Sequence, residues 1–509
     1  MHKHLSYILL FLSLSLTTIA QKEDYRWMLG SPDGTPYNKS YFGGMDLDFN
    51  NGEVKIIINH KPYYMNSHNA SICDKNGEII FYTDGCYLLD SDNNKIPGSD
   101  SLNPINDYYE NCIKEGLLYP SGLEIPQGGI ILPKLTSKTN YFYLSLETVI
   151  GKKFLYSPHV LLTELIYSDS SNLFTVLFKN EPILKDTLPT GSMTAVKMKN
   201  DLGWWIIIRK DQDNLFFIIN NSADTIKYKQ QKIGEYFKDG DLEFASFSPN
   251  GKHYAYYSSK FGLELMDFDR ELGIFSNYRK ISVIDTLEPG ICGVCFSPDN
   301  RYVYVSTRVD LFQYDITASD IKSSEVFVAS TNNVSCDPGL KRKTRFGPMV
   351  LGPDCRIYMV SNYQQTCMNV IMHPNNKGTA CEFVQQAIQL PFLNHSSIPN
   401  FPHFRIDEPY PCESTIKFLT SQIDEFDFSS SLVYYPNPIT DHLNILFPHP
   451  LEVESYLGLY DITGRIHKYE KIANYSSEVM IDCDDLSSGI YFFQIKSING
   501  AFAGGKFIK

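Results

Sequence analysis

Phe247-Ser248-Pro249-Asn250-Gly251-Lys252, running on into His253-Tyr254-Ala255-Tyr256-Tyr257-Ser258, is the stretch that decides the fold. It recurs as Phe296-Ser297-Pro298-Asp299-Asn300-Arg301 before Tyr302-Val303-Tyr304-Val305-Ser306. A third copy is Leu351-Gly352-Pro353-Asp354-Cys355-Arg356 before Ile357-Tyr358-Met359-Val360-Ser361. Each copy spells a strand, a tight turn and a second strand. Pro at the second turn position fixes φ, Asn or Asp follows, and Gly251 or Asn300 supplies the left-handed residue that closes a type I turn. Cys355 takes that place in the third copy, where a positive φ costs a side chain on the order of 1 kcal/mol unless the turn changes type. The strands that follow are short and rich in Tyr, Val and Ile, as strands buried on both faces are.

Looser copies lie upstream. Ala70-Ser71-Ile72-Cys73 and Glu78 to Thr83 flank the turn Asp74-Lys75-Asn76-Gly77; Gly129 to Leu132 precedes Asn140 to Leu146; Thr194 to Val196 precedes Gly203 to Ile208. The three clear copies are spaced by about fifty residues, a period that reads as one four-stranded blade per repeat. Six repeats fit before residue 390. Strands near Met45 to Ile58, joined by Ile398 to Ile406, supply a seventh and close the ring, as the exposed edges of an open radial array require. An array of flat β-sandwiches is the alternative, but it predicts turn signals without a long period. The expected fold is all-β: a seven-bladed β-propeller over 25–407, a Pro-, Ser- and acid-rich linker over 408–430, and a small β-sandwich over 431–509.

The 509 residues exceed what one core usually holds. A net charge of −13 with no basic stripe argues against a nucleic-acid partner. His2, Lys3 and His4, the apolar run Tyr7 to Leu16 and the small Ala20 before Gln21 spell a secretory signal peptide over 1–20. The run falls short of the roughly 20 apolar residues of a membrane span, and no later segment reaches that length. All 11 cysteines follow the cut; in an oxidising compartment some can pair, and an odd count leaves at least one over.

The last domain carries a specific resemblance. Tyr434-Tyr435-Pro436-Asn437-Pro438, Leu443-Asn444-Ile445, Leu459-Tyr460-Asp461-Ile462-Thr463-Gly464-Arg465, Leu486-Ser487-Ser488-Gly489-Ile490-Tyr491 and Lys506-Phe507-Ile508-Lys509 resemble, in order and spacing, the type A C-terminal sorting domain of type IX secretion substrates of Bacteroidota. The resemblance implies passage through the type IX machinery, removal of the domain, and release or tethering at the cell surface. Its motif residues are Pro436, Asn437, Pro438, Tyr460, Asp461, Gly464, Arg465, Gly489, Ile490, Tyr491, Lys506 and Phe507. Residues 25–407 are similar to secreted Bacteroidota propellers of WD40- and YVTN-like blade signature, on Ala70 to Gly85, Ser101-Leu102-Asn103-Pro104, Trp204-Trp205, the Ser-Pro turns and Pro399-Asn400-Phe401-Pro402. The blades lack the Trp-Asp ending of standard WD40 repeats, so WD40 partner rules do not transfer. Asp100-Ser101-Leu102, Asp186-Thr187-Leu188, Asp224-Thr225-Ile226 and Asp285-Thr286-Leu287 resemble the short O-glycosylation pattern of the same phylum.

Candidate chemistry is sparse. Cys292-Gly293-Val294-Cys295 runs into a strand, where residues three apart face opposite sides, and no second Cys-x-x-Cys completes a zinc site. Asp90-Ser91-Asp92-Asn93-Asn94 starts like a calcium loop, but Lys95 and Ser101 stand where Gly and Glu are required, so a polar turn is expected. His68, His159, His253, His395 and His403 fall near predicted loops or strand ends, and catalysis would need one of them beside a carboxylate or nucleophile. Asp241 and Glu243 precede a blade and could face an axial funnel. Trp204 and Trp205, adjacent on a strand, face opposite sides and suit packing between blades. No catalytic set, cofactor or metal site is assigned. The expected function is a non-enzymatic binding module for an extracellular protein or glycan, with a hydrolase of an extracellular polymer, acting through the funnel, as the alternative.

Overall fold

The computed structural model describes residues 21–31, 43–59, 63–104, 112, 122–150, 155–168, 170–171, 173–222, 226–237, 243–283, 290–336, 342–361, 363–408, 412–418, 433–447, 455–461, 466–473, 476–497 and 502–509. The signal peptide, Asp241, Gly464, Arg465, residues 419–430 of the expected linker, and the Asp-Thr pairs at 224–225 and 285–286 lie outside these residues.

The described chain is all-β. Before residue 395 it forms antiparallel sheets in strict chain order. The first pairs Arg26–Gly30, Gly44–Asp48 and Lys55–Asn59; the second pairs Ala70–Cys73, Ile79–Thr83 and Leu88–Asp90. Four-stranded meanders follow, opening on Gly129–Pro133, Thr194–Lys197, Phe244–Phe247, Gly293–Phe296 and Phe346–Leu351. Each sheet buries apolar side chains against the next. Met28 of the first packs with Tyr82 of the second, and one cluster joins the second, third and fourth through Phe81, Leu144 and Ile206. Further clusters link fourth to fifth, fifth to sixth and sixth to seventh. Trp27, Leu47, Tyr358 and Phe392 then join the seventh sheet to the first. The cycle of shared cores closes, and every large apolar side chain buried in it contributes roughly 1.5–3 kcal/mol.

The repeated turn is the same in all three copies. Gly251, Asn300 and Cys355 have φ of 67, 65 and 66°. In each, the residue at the left-handed position donates its N–H to the carbonyl three residues back: Gly251 to Ser248, Asn300 to Ser297, Cys355 to Gly352. Ser248 Oγ and Ser297 Oγ tie their loops to the strand beyond by accepting from the N–H of His253 and Tyr302. Cys355 keeps its strained φ while joined by a disulfide to Cys412; Cys86–Cys112 and Cys336–Cys367 are the other bridges among the described cysteines.

Two expectations change. Residues Ile398 to Ile406 add no strand to the first sheet; they form an irregular segment, and the third strand of that sheet is Arg26–Gly30. Residues 412–417, within the span assigned to the linker, are held on the ring by the Cys355–Cys412 bridge, by Ile416 buried beside the first and seventh sheets, and by the Val54 N–H donating to the Lys417 carbonyl. The outermost strand of the fourth sheet, Lys227–Lys232, is largely exposed and carries Lys227, Lys229 and Lys232, charges that blunt a free edge.

The C-terminal unit is a sandwich. One sheet orders Val433–Tyr435, His442–Leu446 and Glu478–Asp482; the other orders Ile466–Ile472, Ser455–Asp461, Ile490–Ser497 and Phe502–Ile508. Leu443, Ile445, Leu457, Leu459, Ile481 and Phe493 form its core.

Candidate functional site

The centre of the ring is where converging side chains would make an active site. The first strands of neighbouring sheets lie against one another and so line it. That space is occupied by the chain itself. The Asn400 N–H donates to the Asn69 carbonyl, and Asn400 Nδ2 donates to the carbonyls of Gly129 and Met193 at 2.9 and 3.0 Å. Asn69 Nδ2 bonds Ser397 Oγ at 2.9 Å, and His403 Nε2 donates to the Phe247 carbonyl at 3.0 Å. One irregular segment thus satisfies backbone groups on the second, third, fourth and fifth sheets, where a further strand could satisfy only one neighbour. Beside it remains a cavity of about 30 Å³, lined by Ala195, Phe247, Cys295, Leu351 and Asn400, room for about one water. Arg405 locks the segment's end: its guanidinium binds both carboxylate oxygens of Asp24 at 2.6 and 2.7 Å, both residues buried.

The sequence-predicted residues scatter. Burial pushes the pKa of His403 down to about 4 and that of His68 down to about 3. His68 Nε2 bonds the Tyr143 hydroxyl at 2.8 Å. His395 lies edge-on to Tyr64, and burial pushes its pKa down to about 4. His253 pairs with Asp267 at 3.0 Å, and His159 with the buried Glu147 at 2.5 Å, a carboxylate–imidazole pair between adjacent strands of the third sheet. Glu243 is buried at 6% exposure. Cys292 packs in the cluster between fifth and sixth sheets and Cys295 in that between sixth and seventh, so their sulfurs point apart. Asp90 Oδ1 accepts the N–H groups of Asp92 and Asn94, closing a polar turn with Asn93 at φ 67°. Trp204 and Trp205 sit in different clusters, their indole N–H groups bonded to the carbonyls of Pro133 and Arg270. Ser101 and Thr187 are both exposed.

An open cleft lies elsewhere, between the second and third sheets. It measures about 610 Å³ and is lined by Glu23, by the turns at Asp74 and Asp90, and by Tyr141, Tyr167 and Phe174. Its aromatic side was not legible in the sequence, because Tyr141, Tyr167 and Phe174 belong to three strands that only the meander brings together.

In the sandwich, motifs remote in sequence converge. Asn437 Oδ1 accepts the Ile508 N–H at 3.0 Å and Asn437 Nδ2 donates to the Lys506 carbonyl, so the Pro436-Asn437-Pro438 turn is stitched to the last strand. Gly489 and Lys509 exchange both backbone hydrogen bonds, and Tyr491 stacks on Phe507 at 5.7 Å. Tyr460 and Asp461 end their strand, Asp461 beside His467 at 2.9 Å; Ile490 and Lys506 are exposed. Residues 433–509 match the family described as the secretion system C-terminal sorting domain. The chain carries a type IX sorting tail. The sorting domain indicates export to the cell surface or beyond and interaction with the type IX secretion machinery. Among the described residues no helix is long and apolar enough to cross a membrane.

No curated protein matches the chain. Among solved structures it is similar to a candidate 6-phosphogluconolactonase from Bacteroides uniformis, at 10% identity over 73% of this chain and 98% of that one, with a TM-score of 0.41. A second candidate 6-phosphogluconolactonase, from Bacteroides fragilis, gives 10% identity, 73% and 97% coverage and a TM-score of 0.39. A glycoside hydrolase family 43 arabinoxylan arabinofuranohydrolase from Bacillus subtilis gives 8%, 75%, 94% and 0.30.

Proposed function

We propose that this chain is a secreted or surface-attached Bacteroidota protein, exported on a signal peptide and the sorting domain, whose seven-bladed β-propeller of WD40- and YVTN-like signature is a non-enzymatic binding module for an extracellular protein or glycan. The observation that carries the reading is the filled axis. A funnel hydrolase needs convergent carboxylates around an open centre, and the described centre holds backbone amides, apolar strands and the segment at 397–403. Binding then falls to the outer surfaces and clefts. The motif residues of the sorting domain from Pro436 to Phe507 act in this reading as the address, with no part in ligand binding.

The test separates address from module. A chain ending after residue 418 is expected to fold with an unchanged melting temperature and to stay inside the outer membrane, whereas the full chain reaches the surface or medium, as fractionation and blotting show. The purified ring is expected to capture a partner on a glycan or protein array and to release no reducing ends from polysaccharides; turnover of any polymer would sink the module reading.

A further inference from the structure

The cleft between the second and third sheets has the chemistry of a site for an amphipathic, uncharged polyol. One side is aromatic: Tyr167 and Phe174 rings lie 5.0 Å apart, Tyr141 and Phe174 6.0 Å, and Phe81 backs them at 5.1 and 5.5 Å. Tyr141 and Tyr167 are half-buried, so they present ring surface to the opening while held from behind. The opposite side is polar and rigid. Asp74 Oδ1 accepts the N–H groups of Asn76 and Glu78, and Asp90 Oδ1 those of Asp92 and Asn94. Each turn is thus fixed by its own carboxylate before any ligand arrives, which lowers the ordering cost of binding.

Groups left over point to what that ligand is. The side chains of Lys75, Asp92 and Lys138 line the cleft without an ion pair or hydrogen bond among the described residues, giving donors and acceptors to spare. Glu23 Oε2 is buried there with no hydrogen-bond partner. With Glu23 only partly ionised, the lining sets Asp74, Asp90 and Asp92 against Lys75 and Lys138, a small net negative charge with no cluster of cations to favour phosphates, sulfated or uronic sugars or acidic peptides. A volume of about 610 Å³ lies within the roughly 300–1,000 Å³ typical of small-ligand sites and is concave, unlike a flat protein interface. A sugar ring has an apolar C–H face and a rim of hydroxyls that both give and accept hydrogen bonds; aromatic rings facing mixed donors and acceptors match that pattern.

We propose that this cleft, resting on the binding-module reading of the ring, seats an uncharged sugar unit of an extracellular glycan, its C–H face on Tyr141 and Tyr167 and its hydroxyls on Lys75, Asp92 and Lys138. Glu23 lines the same cleft. Burial pushes its pKa up to about 7 against the opposing charges of Arg405 and Lys197, with Asp24 adding to the rise. Its carboxyl is therefore protonated in a large fraction of molecules near neutrality, and its O–H can be given to a ligand oxygen.

The test uses the full mature chain and titration calorimetry with xylotetraose, mannotetraose, cellotetraose and chitotetraose, beside a heparin hexasaccharide and a Lys-rich peptide. At least one neutral tetrasaccharide is expected to bind, about tenfold more weakly in Tyr167→Ala and in Asp92→Ala. Lys229→Ala, in the fourth sheet, leaves it unchanged. Near-UV circular dichroism checks that Tyr167→Ala folds, and Asp92→Ala, on an exposed turn, keeps the test open if it does not. Binding only of heparin or only of the basic peptide overturns the assignment. So does neutral-sugar binding that ignores both variants, although the ring would still be a binding module. Binding that responds to the variants together with hydrolysis upholds the site and overturns the non-enzymatic reading instead.

Discussion

Cys355 shows how much one residue reveals. The sequence placed it where Gly251 and Asn300 supply tolerance of positive φ, and its φ of 66° shows the turn unchanged. Its sulfur is joined to Cys412, a bridge that the other two copies of the turn lack. Removing the bridge isolates the backbone effect: in a Cys412→Ala background, Cys355→Gly is expected to be about 1 kcal/mol more stable than Cys355→Ala in urea unfolding. Asp84 makes a second case. It is buried at 2% exposure, its Oδ2 has no hydrogen-bond partner among the described residues, and burial pushes its pKa up from 3.8 to about 6. Between those values the folded state holds a proton that the unfolded chain has released, so stability falls as pH rises through this window, by about 3 kcal/mol in all. Asp84→Asn keeps an oxygen for the Cys86 N–H and removes the charge. It is expected to raise urea stability at pH 7.5 and to change it little at pH 3.5. His68 and His403 act with the opposite sign: their lowered pKa values withdraw stability as pH falls below about 6.5.

At the scale of the element, the segment at 397–405 has no regular structure and yet binds more sheets than any strand does. Its cohesion comes from side-chain amides and one buried ion pair. Breaking such a pair on one side leaves the other charge stranded, typically at a cost of about 3–5 kcal/mol, while removing both charges costs far less. Asp24→Asn alone is therefore expected to destabilise by several kcal/mol, and the Asp24→Asn, Arg405→Met double variant by less than the sum; a double-mutant cycle in urea measures the difference. This element was half legible. Pro399-Asn400-Phe401-Pro402 stood out as a signature, but a strand was expected of it. Asn400 has the donors to bridge two carbonyls, and only the meeting of the third and fourth sheets supplies those carbonyls.

For the whole molecule, the closed cycle of cores leads to the expectation that a chain ending after 418 keeps its fold and one ending earlier is destabilised, as melting temperatures of the two would show. Ile416 is buried at 2% and Cys412 is bridged to the seventh sheet, so a chain ending after Asp407 would lose both and leave Trp27 and Tyr358 less covered. The sandwich keeps its own core from Ile439 to Phe507. The sequence by itself determined what rests on local pattern: short strands, left-handed turn residues, a period, and a sorting motif whose order and spacing survive without coordinates. Those follow from φ preferences and from which side chains suit a pleated surface, both properties of neighbouring residues. Only the tertiary structure decided that the axis is filled, that Asp24 meets Arg405 across the chain, and that three rings from the third sheet face two turns of the second. Each of these joins residues far apart in the chain, and no local preference encodes the distance between them.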